Sequence, residues 1–521
     1  MSAEDNSKAT QTQCKKEGLL FKRKASAISA SSPSHSSSSI AHKIAVESER
    51  YRKVQSLADK FEKLCNGYLK SKKWYKHFES WLWECRGGGV NTDAVLPDNE
   101  NCTENRSLQR KLVQSGASDA EAIHMCKEIG NFSKRQSRLL QSMMASEECY
   151  NKDSNVKCLV GDGNVKLSYN NVHVEVNRWH YDKLHVLFEQ HGGMVDEFDA
   201  CVFVLLARYY SVQGGQPQGG GNQAAVPSRC MEVLVRCMGV RTECFASPLN
   251  CCMASSFSSC EDSGGAVPVK LSVSYCSLFP DTDEVFGSRG LFSSLQASKG
   301  GSYQANPPYE AASVRDMYHR MNIMLSESNA NSVALQFIVI IPHWGMSPEE
   351  RQGESKSCDR TMVELDREDV ARVSAWNELA TSRFLSKRLQ LPKMSHAFHE
   401  GCQHVKTVGK VRPSVIDTDI FFLQTSAAAA RWPVNSGVLE ALRMAFDPAV
   451  PGSSVQAAIL AIPPTEGTSP PGNDNLNTEG SDVVATPKKT MSVSSRRAER
   501  RKRVAALRKK ARDDGVPEGS S

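Results

Sequence analysis

The amino-terminal half of the chain carries its hydrophobic residues at helical spacing. Five of them recur every three or four positions and predict one face of a long amphipathic helix: Val54, Leu57, Phe61, Leu64 and Tyr68. A second helix is predicted to begin at the capping box Ser118-Asp119-Ala120-Glu121 and to run toward Met144. Helical spacing returns in residues 179–188 and 198–210, and alternating valines in residues 172–176 predict a strand before them.

After Pro227 the pattern alternates between helices and strands. The predicted elements are a helix at 229–238, a strand at 242–246, a strand at 302–305, a helix at 311–325, a strand at 334–341, a strand at 420–423 and a helix at 438–445. The strand at 334–341 is a nearly continuous apolar run, which is typical of a strand covered on both faces in a parallel sheet. This alternation predicts a doubly wound α/β domain in residues 236–450.

Composition divides the 521-residue chain further. Residues 1–42 are rich in serine and bury too little apolar surface to offset the entropy of ordering, so we expect them to be disordered. Residues 43–235 form the mainly helical part before the α/β domain, and order is expected to begin near Ile44. Residues 451–521 contain proline, glycine and acidic positions followed by a basic segment, and they are predicted to be a disordered linker and tail.

The positive charge of the chain is concentrated in that tail. The segment from Lys488 to Arg512 contains 12 Lys or Arg and one Glu, a local charge of +11, whereas the whole chain has +6. The rest of the chain therefore carries −5, and its attraction for nucleic acid must come from local patches. The tail predicts a nuclear localisation signal, and hence a nuclear protein, or an arm that holds RNA; a solvated charge run is the alternative.

Composition also argues against secreted, membrane and metal-binding classes. Residues 1–5 are polar and form no secretory signal, and no apolar run approaches the roughly 18 residues of a membrane-spanning helix. We therefore expect an intracellular protein with no membrane partner. The 17 cysteines form no Cys-x-x-Cys pair and are expected to be free thiols. His396, His399, Cys402 and His404 lie close in sequence but match no standard zinc spacing, so no metal is expected.

The residues Asn306-Pro307-Pro308-Tyr309 lie between a predicted strand and a predicted helix, at the edge where open α/β sheets bind ligands. They fit the Asx-Pro-Pro-aromatic signature of methyltransferases that act on planar amino or amide nitrogens. Such a nitrogen is a poor nucleophile and must be held in line with the sulfonium methyl of S-adenosylmethionine. The side-chain carbonyl of Asn306 and the backbone carbonyl of Pro307 can accept its two N–H bonds. The two prolines stiffen the turn, and Tyr309 can stack on a base.

An ordinary Pro-Pro turn is the alternative to this interpretation, and the motif does not identify the substrate. An adenine amine and a protein glutamine amide both present a planar NH₂ group. Three hypotheses therefore stay open: methylation of adenine N6 in RNA, methylation of a protein amide, and a non-catalytic RNA-binding scaffold with the same fold. The intact motif argues against the scaffold, which would be free to lose it.

Longer segments around the motif resemble one known family. In chain order they are 174–178 (VEVNR), 205–209 (LLARY), 243–250 (ECFASPLN), 279–283 (FPDTD), 286–290 (FGSRG), 301–309 (GSYQANPPY), 337–344 (FIVIIPHW) and 401–404 (GCQH). Over about residues 170–435, this order resembles the cap-specific mRNA adenosine-N6 methyltransferases, also called the phosphorylated-CTD-interacting factor family. The resemblance implies a Rossmann-like core that uses S-adenosylmethionine to methylate N6 of the first transcribed adenosine, next to the mRNA cap.

The resemblance also implies roles for residues outside the motif. Substrate contacts are implied for Arg178, Arg208 and the segment that begins at Trp344, although structural ion pairs are the alternative for the arginines. The loop after the first core strand is implied to bind the cofactor through Phe245, Ser247, Pro248 and Asn250. Asp281 or Asp283 is implied to bind the ribose hydroxyls of the cofactor, with helix capping or a turn as the alternative. The implied partners are the capped mRNA 5′ end and the transcription or capping machinery.

Three features depart from the family. Its amino-terminal WW module is not found, because the tryptophans of residues 74–83 are crowded on a predicted helix, and tethering to the polymerase through that module is left open. The motif of the family ends in phenylalanine where this chain has Tyr309. A family glutamate two residues past the motif falls on Ala311, whereas Glu310 lies one residue early.

Overall fold

The structure is a computed structural model, and the residues that it describes are 40–69, 74–86, 93–145, 155–215, 224–252, 273–345, 367–401, 404–405 and 411–462. Every described residue belongs to one unit, within Met1–Thr468. Most of the predicted serine-rich start and the whole predicted basic tail lie outside the described residues.

Four helices begin the described part of the chain: α1 (Ile40–Cys65), α2 (Trp74–Cys85), α3 (Arg106–Gln114) and α4 (Asp119–Ala145). The predicted apolar face is confirmed for Val54, Leu57 and Phe61, which are fully buried, whereas Leu64 is partly buried and Tyr68 lies beyond the end of α1. At the start of α4, the Ser118 hydroxyl donates to Glu121 Oε2 at 2.7 Å, and the Glu121 N–H donates to Ser118 Oγ at 3.3 Å. The predicted capping box is therefore confirmed.

Helix α2 contains the tryptophans that the sequence placed on a helix. Trp81 and Trp83 are buried, and the Trp81 ring lies 6.0 Å from the ring of Phe78 in a stacked arrangement. Trp74 packs beside Phe61 of α1, with ring centroids 6.3 Å apart. These side chains therefore stabilise the contact between two helices.

A small antiparallel sheet follows, with the order β1 (Lys157–Val160), β2 (Asn164–Tyr169) and β3 (Val172–Asn177). Strand β3 was predicted, whereas β1 and β2 were not. Asn170 and Asn171 connect β2 to β3 with φ angles of 44° and 64°, which is the left-handed region that asparagine tolerates in tight hairpins. Two predicted helices come next and are confirmed, α5 (Arg178–Gln190) and α6 (Phe198–Val212).

The rest of the described chain is mixed α/β. Its elements are α7 (Ser228–Met238), β4 (Thr242–Ala246), β5 (Ser274–Ser277), α8 (Pro280–Asp283), β6 (Gly301–Ala305), α9 (Ala311–Ala330), β7 (Leu335–Pro342), α10 (Arg367–Ala380), β8 (Leu385–Leu391), β9 (Ala397–His399), β10 (Val411–Pro413), β11 (Thr418–Gln424), α11 (Ser426–Arg431), α12 (Ser436–Phe446) and α13 (Gly452–Leu460). Short 3₁₀ helices occupy Glu100–Cys102, Val195–Glu197, Glu284–Phe286 and Phe292–Ser294.

Six strands of this part form one sheet in the order β5-β4-β6-β7-β11-β8. Strands β5, β4, β6 and β7 are parallel, whereas β11 is antiparallel to both of its neighbours, so the sheet is mixed. The chain runs from β4 outward to β5 and then returns to β6 on the opposite side of β4. The order therefore reverses between β4 and β6, which makes the crevice outside their carboxyl ends a topological switch point.

Strand β7 is buried along its whole length, as predicted. Ile338 and Ile340 pack into the apolar core on one face of the sheet, and Phe337, Val339 and Ile341 pack into the core on the other face. A strand between two cores favours apolar residues at nearly every position, because successive side chains point to opposite faces, and the one polar exception in β7, Gln336, is buried with its amide hydrogen-bonded. This double burial explains why β7 was recognisable as a continuous apolar run.

The predicted linker begins later than position 451. Helix α13 occupies the start of that region, and it buries Val455 and Ile459 beside α12 and α7 because residues four apart lie on one helix face. Strands β5 and β8 also lie where no strand was predicted. Within the described ranges, no helix is long and apolar enough to cross a membrane.

Candidate active site

A cavity of about 590 Å³ lies at the carboxyl ends of β4 and β6. The loop after β4 contributes Phe245 and Asn250, and the segment after β6 contributes Asn306 and Pro308. The helical part completes the wall, with Arg86 just beyond α2. Small-molecule sites commonly measure about 300–1,000 Å³ and form at such switch points. Four of the predicted site residues thus meet in one cavity of suitable size.

The Asn306 side chain has a fixed orientation in the cavity wall. Its Nδ2 donates to the backbone carbonyl of Ala224 at 3.0 Å, so the amide cannot rotate without losing this bond. The carbonyl oxygen Oδ1 accepts a hydrogen bond from the Tyr309 hydroxyl at 2.8 Å. Oδ1 is therefore presented as an acceptor, which is the role that the sequence predicted for it.

The two prolines and Tyr309 shape the segment after Asn306. Pro307 is buried, Pro308 faces the cavity, and the Pro308 carbonyl accepts from the Glu310 N–H at 2.8 Å. Burial raises the pKa of the Tyr309 hydroxyl, so this group stays protonated and acts as a donor to Asn306. The segment is therefore a rigid corner, and its tyrosine hydroxyl occupies one of the two lone pairs of the acceptor that a planar NH₂ group would use.

The loop after β4 is closed by reciprocal hydrogen bonds. The Ser247 N–H donates to Asn250 Oδ1 at 2.7 Å, and the Asn250 N–H donates to Ser247 Oγ at 3.3 Å. Ser247 and Pro248 are buried, whereas Phe245 lines the cavity and packs against Phe292 with ring centroids 5.0 Å apart. Of the four predicted loop residues, Phe245 and Asn250 reach the cavity, and Ser247 and Pro248 hold the loop in shape.

Two residues that the sequence analysis missed fasten this loop. Lys183 of α5 donates through Nζ to the carbonyls of Leu249 at 3.2 Å and Cys251 at 2.7 Å. The carboxylate of Glu243 accepts from the Cys252 N–H at 2.7 Å. Burial raises the pKa of Glu243 to about 7, although this hydrogen bond opposes the shift. The contacts of Lys183 could have been suspected from the sequence, because this lysine lies on the buried side of a predicted amphipathic helix.

Arg208, a predicted substrate contact, is held in buried ion pairs. Its side chain is 5% exposed, and it donates to Glu47 at 2.8 and 2.7 Å and to Asp281 at 2.8 Å. These carboxylates occupy the guanidinium donors, as the ion-pair alternative predicted, and a contact of Arg208 with substrate stays a prediction. Burial alone would raise the pKa of Asp281, but the charge and hydrogen bonds of Arg208 outweigh it and lower that pKa. The role of Asp281 toward a ribose stays a prediction.

Asp283 ends the short helix α8 that follows β5. Its carboxylate is fully buried, and it accepts from the Tyr209 hydroxyl at 2.7 Å and from the Thr282 hydroxyl at 2.8 Å. Burial raises the pKa of Asp283 to about 7, with the hydrogen bonds opposing the shift. The side chain holds the turn after β5, as the turn alternative predicted, and is not part of the cavity lining; its role toward a ribose stays a prediction.

The other two predicted substrate contacts lie outside the cavity lining. Arg178 begins α5, and its half-exposed guanidinium pairs with Asp182 at 3.0 Å. Trp344 follows β7 and is half-buried against the core on one face of the sheet. Both stay predictions as RNA contacts, and the residues from 346 to 366 that continue the Trp344 segment lie outside the described residues.

Among the histidines that could suggest zinc, His396 has other partners, whereas both ring nitrogens of His404 are buried without a hydrogen-bond partner in the described part of the chain. His396 is buried, with Nδ1 2.8 Å from the Pro392 carbonyl and Nε2 2.7 Å from the Thr418 hydroxyl. His399 and His404 lie in the described ranges, whereas Cys402 does not. Among the residues with a described placement, no group of three or more His, Cys, Asp or Glu could hold a metal ion. The twelve cysteines in those ranges are free thiols.

Comparisons with known proteins match the part of the chain that builds this site. A family model described as "Phosphorylated CTD interacting factor 1 WW domain" matches residues 183–367. A human protein named mRNA (2'-O-methyladenosine-N(6)-)-methyltransferase is 30% identical over 287 residues, which is 54% of this chain and 34% of that protein. The mouse protein of the same name is 31% identical over 290 residues, again 54% and 34% of the two chains.

This chain resembles the phosphorylated-CTD-interacting factor family. The resemblance predicted from the motifs is thereby confirmed. The model match contains the cavity-forming strands β4 to β7 and the Asn306 segment, whereas the tryptophans of α2 lie outside it. The chain spans about a third of the length of the curated relatives that it matches.

Proposed function

We propose that the chain is an S-adenosylmethionine-dependent RNA methyltransferase that acts on N6 of the first transcribed adenosine of capped mRNA. The observation that carries the proposal is Asn306, held by Ala224 with its Oδ1 presented at the switch-point cavity. The names of the human and mouse relatives support adenosine N6 as the target. The basic tail supports a nuclear location, and capped mRNA and the transcription or capping machinery are the partners we propose.

The sheet supports a Rossmann-like methyltransferase core as part of this proposal. In such folds the ligand lies outside the carboxyl ends of the parallel strands, where the strand order reverses. Here that point is between β4 and β6, and both loops that line the cavity begin there. The predicted cofactor loop and the predicted motif are 56 residues apart in sequence at Asn250 and Asn306, and the fold brings them to one wall.

The cavity fits S-adenosylmethionine in size and in chemistry. Leu278, Leu291 and Phe292 provide apolar surface for a planar base, whereas Arg86 and Glu310 provide charge. When bound, S-adenosylmethionine supplies an electrophilic methyl group on a sulfonium sulfur. A site that combines apolar surface with a few placed polar groups is typical for a ligand of this kind.

The protein contributes positioning and hydrogen bonds to the reaction. Asn306 Oδ1 accepts one N–H of the adenine amine, and the Pro307 carbonyl accepts the other, which orients the nitrogen and increases its electron density. The Tyr309 hydroxyl already donates to one of the two lone pairs of Oδ1, so the adenine amine would share this acceptor with it and form a weaker bond. The methylated nitrogen loses a proton readily, so a strong general base is not needed.

The proposal is tested with purified protein, labelled S-adenosylmethionine and four RNAs. These RNAs are capped or uncapped and begin with A or G, and the labelled nucleoside is identified by mass after digestion. We expect label only on capped RNA that begins with A. Label on protein with none on RNA would refute the proposal. Equal label on capped and uncapped RNA would show that the enzyme does not require the cap.

Changing Tyr309 to phenylalanine is expected to raise kcat/KM for capped RNA about fivefold. The substitution keeps the ring but removes the hydroxyl that competes for Asn306 Oδ1, and a hydrogen bond contributes roughly 1 kcal/mol. Steady-state kinetics with varied RNA measure the effect. Tyr318→Phe, on a half-buried tyrosine of α9, is the control and should leave the kinetics unchanged. A fivefold loss in Tyr309→Phe would show that the hydroxyl assists the reaction.

A further inference from the structure

Arg86 is a charged residue of the cavity wall, and the hydrogen bonds proposed for the adenine amine do not involve it. It directly follows α2, and its guanidinium carbon lies 4.6 Å from the ring centroid of Trp83 and 5.8 Å from that of Phe279. Its Nη1 is buried and has no hydrogen-bond partner within the described part of the chain. A buried donor of this kind calls for an explanation, because leaving a charged group unpaired is costly.

Other buried arginines of the helical part have partners. Arg50 donates to Asp93 at 2.8 Å and also contacts Glu47, and Arg208 is held by Glu47 and Asp281. Arg86 instead turns toward the cavity, where burial lowers its pKa to about 10 while the charge of Glu310 opposes that shift. The guanidinium thus stays positive at neutral pH and lies near one carboxylate without being neutralised by a direct pair.

The charges around the cavity indicate what kind of ligand group Arg86 would bind. Besides Arg86 and Arg320, the lining includes the carboxylates of Glu84, Glu310 and Asp316. A phosphate of RNA would meet more negative than positive charge there. An α-amino acid group carries one carboxylate and one ammonium, so it matches a wall on which a guanidinium and a carboxylate are near neighbours.

We propose that Arg86 binds the α-carboxylate of the methyl donor and that Glu310 receives its α-ammonium. This inference rests on the proposed function, since it assigns the amino-acid end of S-adenosylmethionine to one side of the same cavity. The planar fork of an arginine matches a carboxylate with two parallel hydrogen bonds. The rings of Trp83 and Phe279 hold the guanidinium and keep water away, which strengthens such bonds.

The test compares two adenosine ligands, S-adenosylhomocysteine and its decarboxylated analogue, by equilibrium binding to the full chain. In Arg86→Gln we expect S-adenosylhomocysteine to bind roughly 10- to 100-fold more weakly, because a charge-assisted pair is lost. The decarboxylated analogue should bind within about twofold of its affinity for the unchanged protein, since it lacks the group that Arg86 holds. Arg86→Lys keeps the charge but not the fork, so it should give an intermediate loss.

Arg320→Gln is the matched control, because this arginine also lines the cavity; its Nη2 donates to the Leu295 carbonyl at 2.8 Å, although its buried Nε has no hydrogen-bond partner among the described residues. It should leave the discrimination between the two ligands unchanged. An equal loss for both ligands in Arg86→Gln would indicate a structural role and overturn the inference. The inference would also be overturned if only Arg320→Gln lost the difference in affinity between the two ligands. A further contradicting result would be that Arg86→Gln binds capped RNA more weakly but binds S-adenosylhomocysteine as well as the unchanged protein does.

The same measurements separate this inference from the proposed function. If the unchanged protein does not bind S-adenosylhomocysteine, the methyltransferase proposal itself fails. If it binds this ligand and Arg86→Gln binds it equally well, only the assignment of Arg86 fails. A thermal unfolding curve of each variant, recorded without ligand, verifies that the cavity wall is folded in both cases.

Discussion

Asn306→Ala is expected to lower the rate of methyl transfer by roughly 100- to 1,000-fold, the loss typical when one preorganised hydrogen-bonding group is removed from a reaction site. The substitution removes the Oδ1 acceptor, so the adenine nitrogen loses both its orientation and one of the bonds that make it a better nucleophile. Single-turnover rates at saturating RNA and S-adenosylmethionine measure this step apart from binding.

Two further variants make the Asn306 experiment specific. Asn306→Asp keeps an acceptor oxygen but cannot donate to the Ala224 carbonyl, so its rate should lie between those of the unchanged protein and Asn306→Ala. Asn331→Ala changes an exposed asparagine that follows α9 and should leave the rate unchanged. If Asn306→Ala is folded and keeps more than about a tenth of the rate, the role assigned to Oδ1 is wrong.

In the elements that were predicted correctly, the spacing of apolar residues along the sequence indicates which side chains are buried. The face of α1, the capping box of α4 and the double-sided burial of β7 each follow from neighbours within one element. Strand β2 also carries such a signal, because Val165, Leu167 and Tyr169 are buried and alternate with more exposed residues before the Asn170 turn. That alternation and the turn could have predicted the hairpin.

Strands β5 and β8 were missed for a different reason. Strand β5 has only four residues, Ser274–Ser277, which is too short for a period to be visible. Strand β8 lies at an edge of the sheet, and it exposes Lys387 and Arg388 among other polar positions. Charged edge strands protect a sheet from pairing with other chains, and this makes them resemble loops in sequence.

The candidate site was predictable only as far as its residues are contiguous. The segment from Asn306 to Tyr309 carries its chemistry in four successive positions, so the sequence alone predicted it. Arg86 and Lys183 act through contacts that the fold creates, with partners far away in sequence. The ion pairs of Arg208 join residues 161 and 73 positions apart, which is why the sequence could not separate a substrate contact from a structural one.

Glu47→Ala is expected to lower the free energy of unfolding by about 3–5 kcal/mol, the cost typical of breaking a buried charge network. The carboxylate of Glu47 lies between Arg50 and Arg208, and it contacts both. All three side chains are no more than 5% exposed, so water cannot replace the lost negative charge. Two guanidiniums would then share only Asp93 and Asp281. Chemical denaturation, followed by tryptophan fluorescence, measures the change.

The neighbouring Glu49→Ala provides the comparison for this prediction. Glu49 pairs with Arg52 and Lys53 nearer the surface of α1, at 3.2 and 3.0 Å, so its removal should cost less than about 1 kcal/mol. Replacing Glu47 and Arg208 together by leucine should recover much of the stability lost in Glu47→Ala, because the desolvated charges disappear with their partner. Equal destabilisation by Glu47→Ala and Glu49→Ala would mean that the buried network does not anchor α1 to α6.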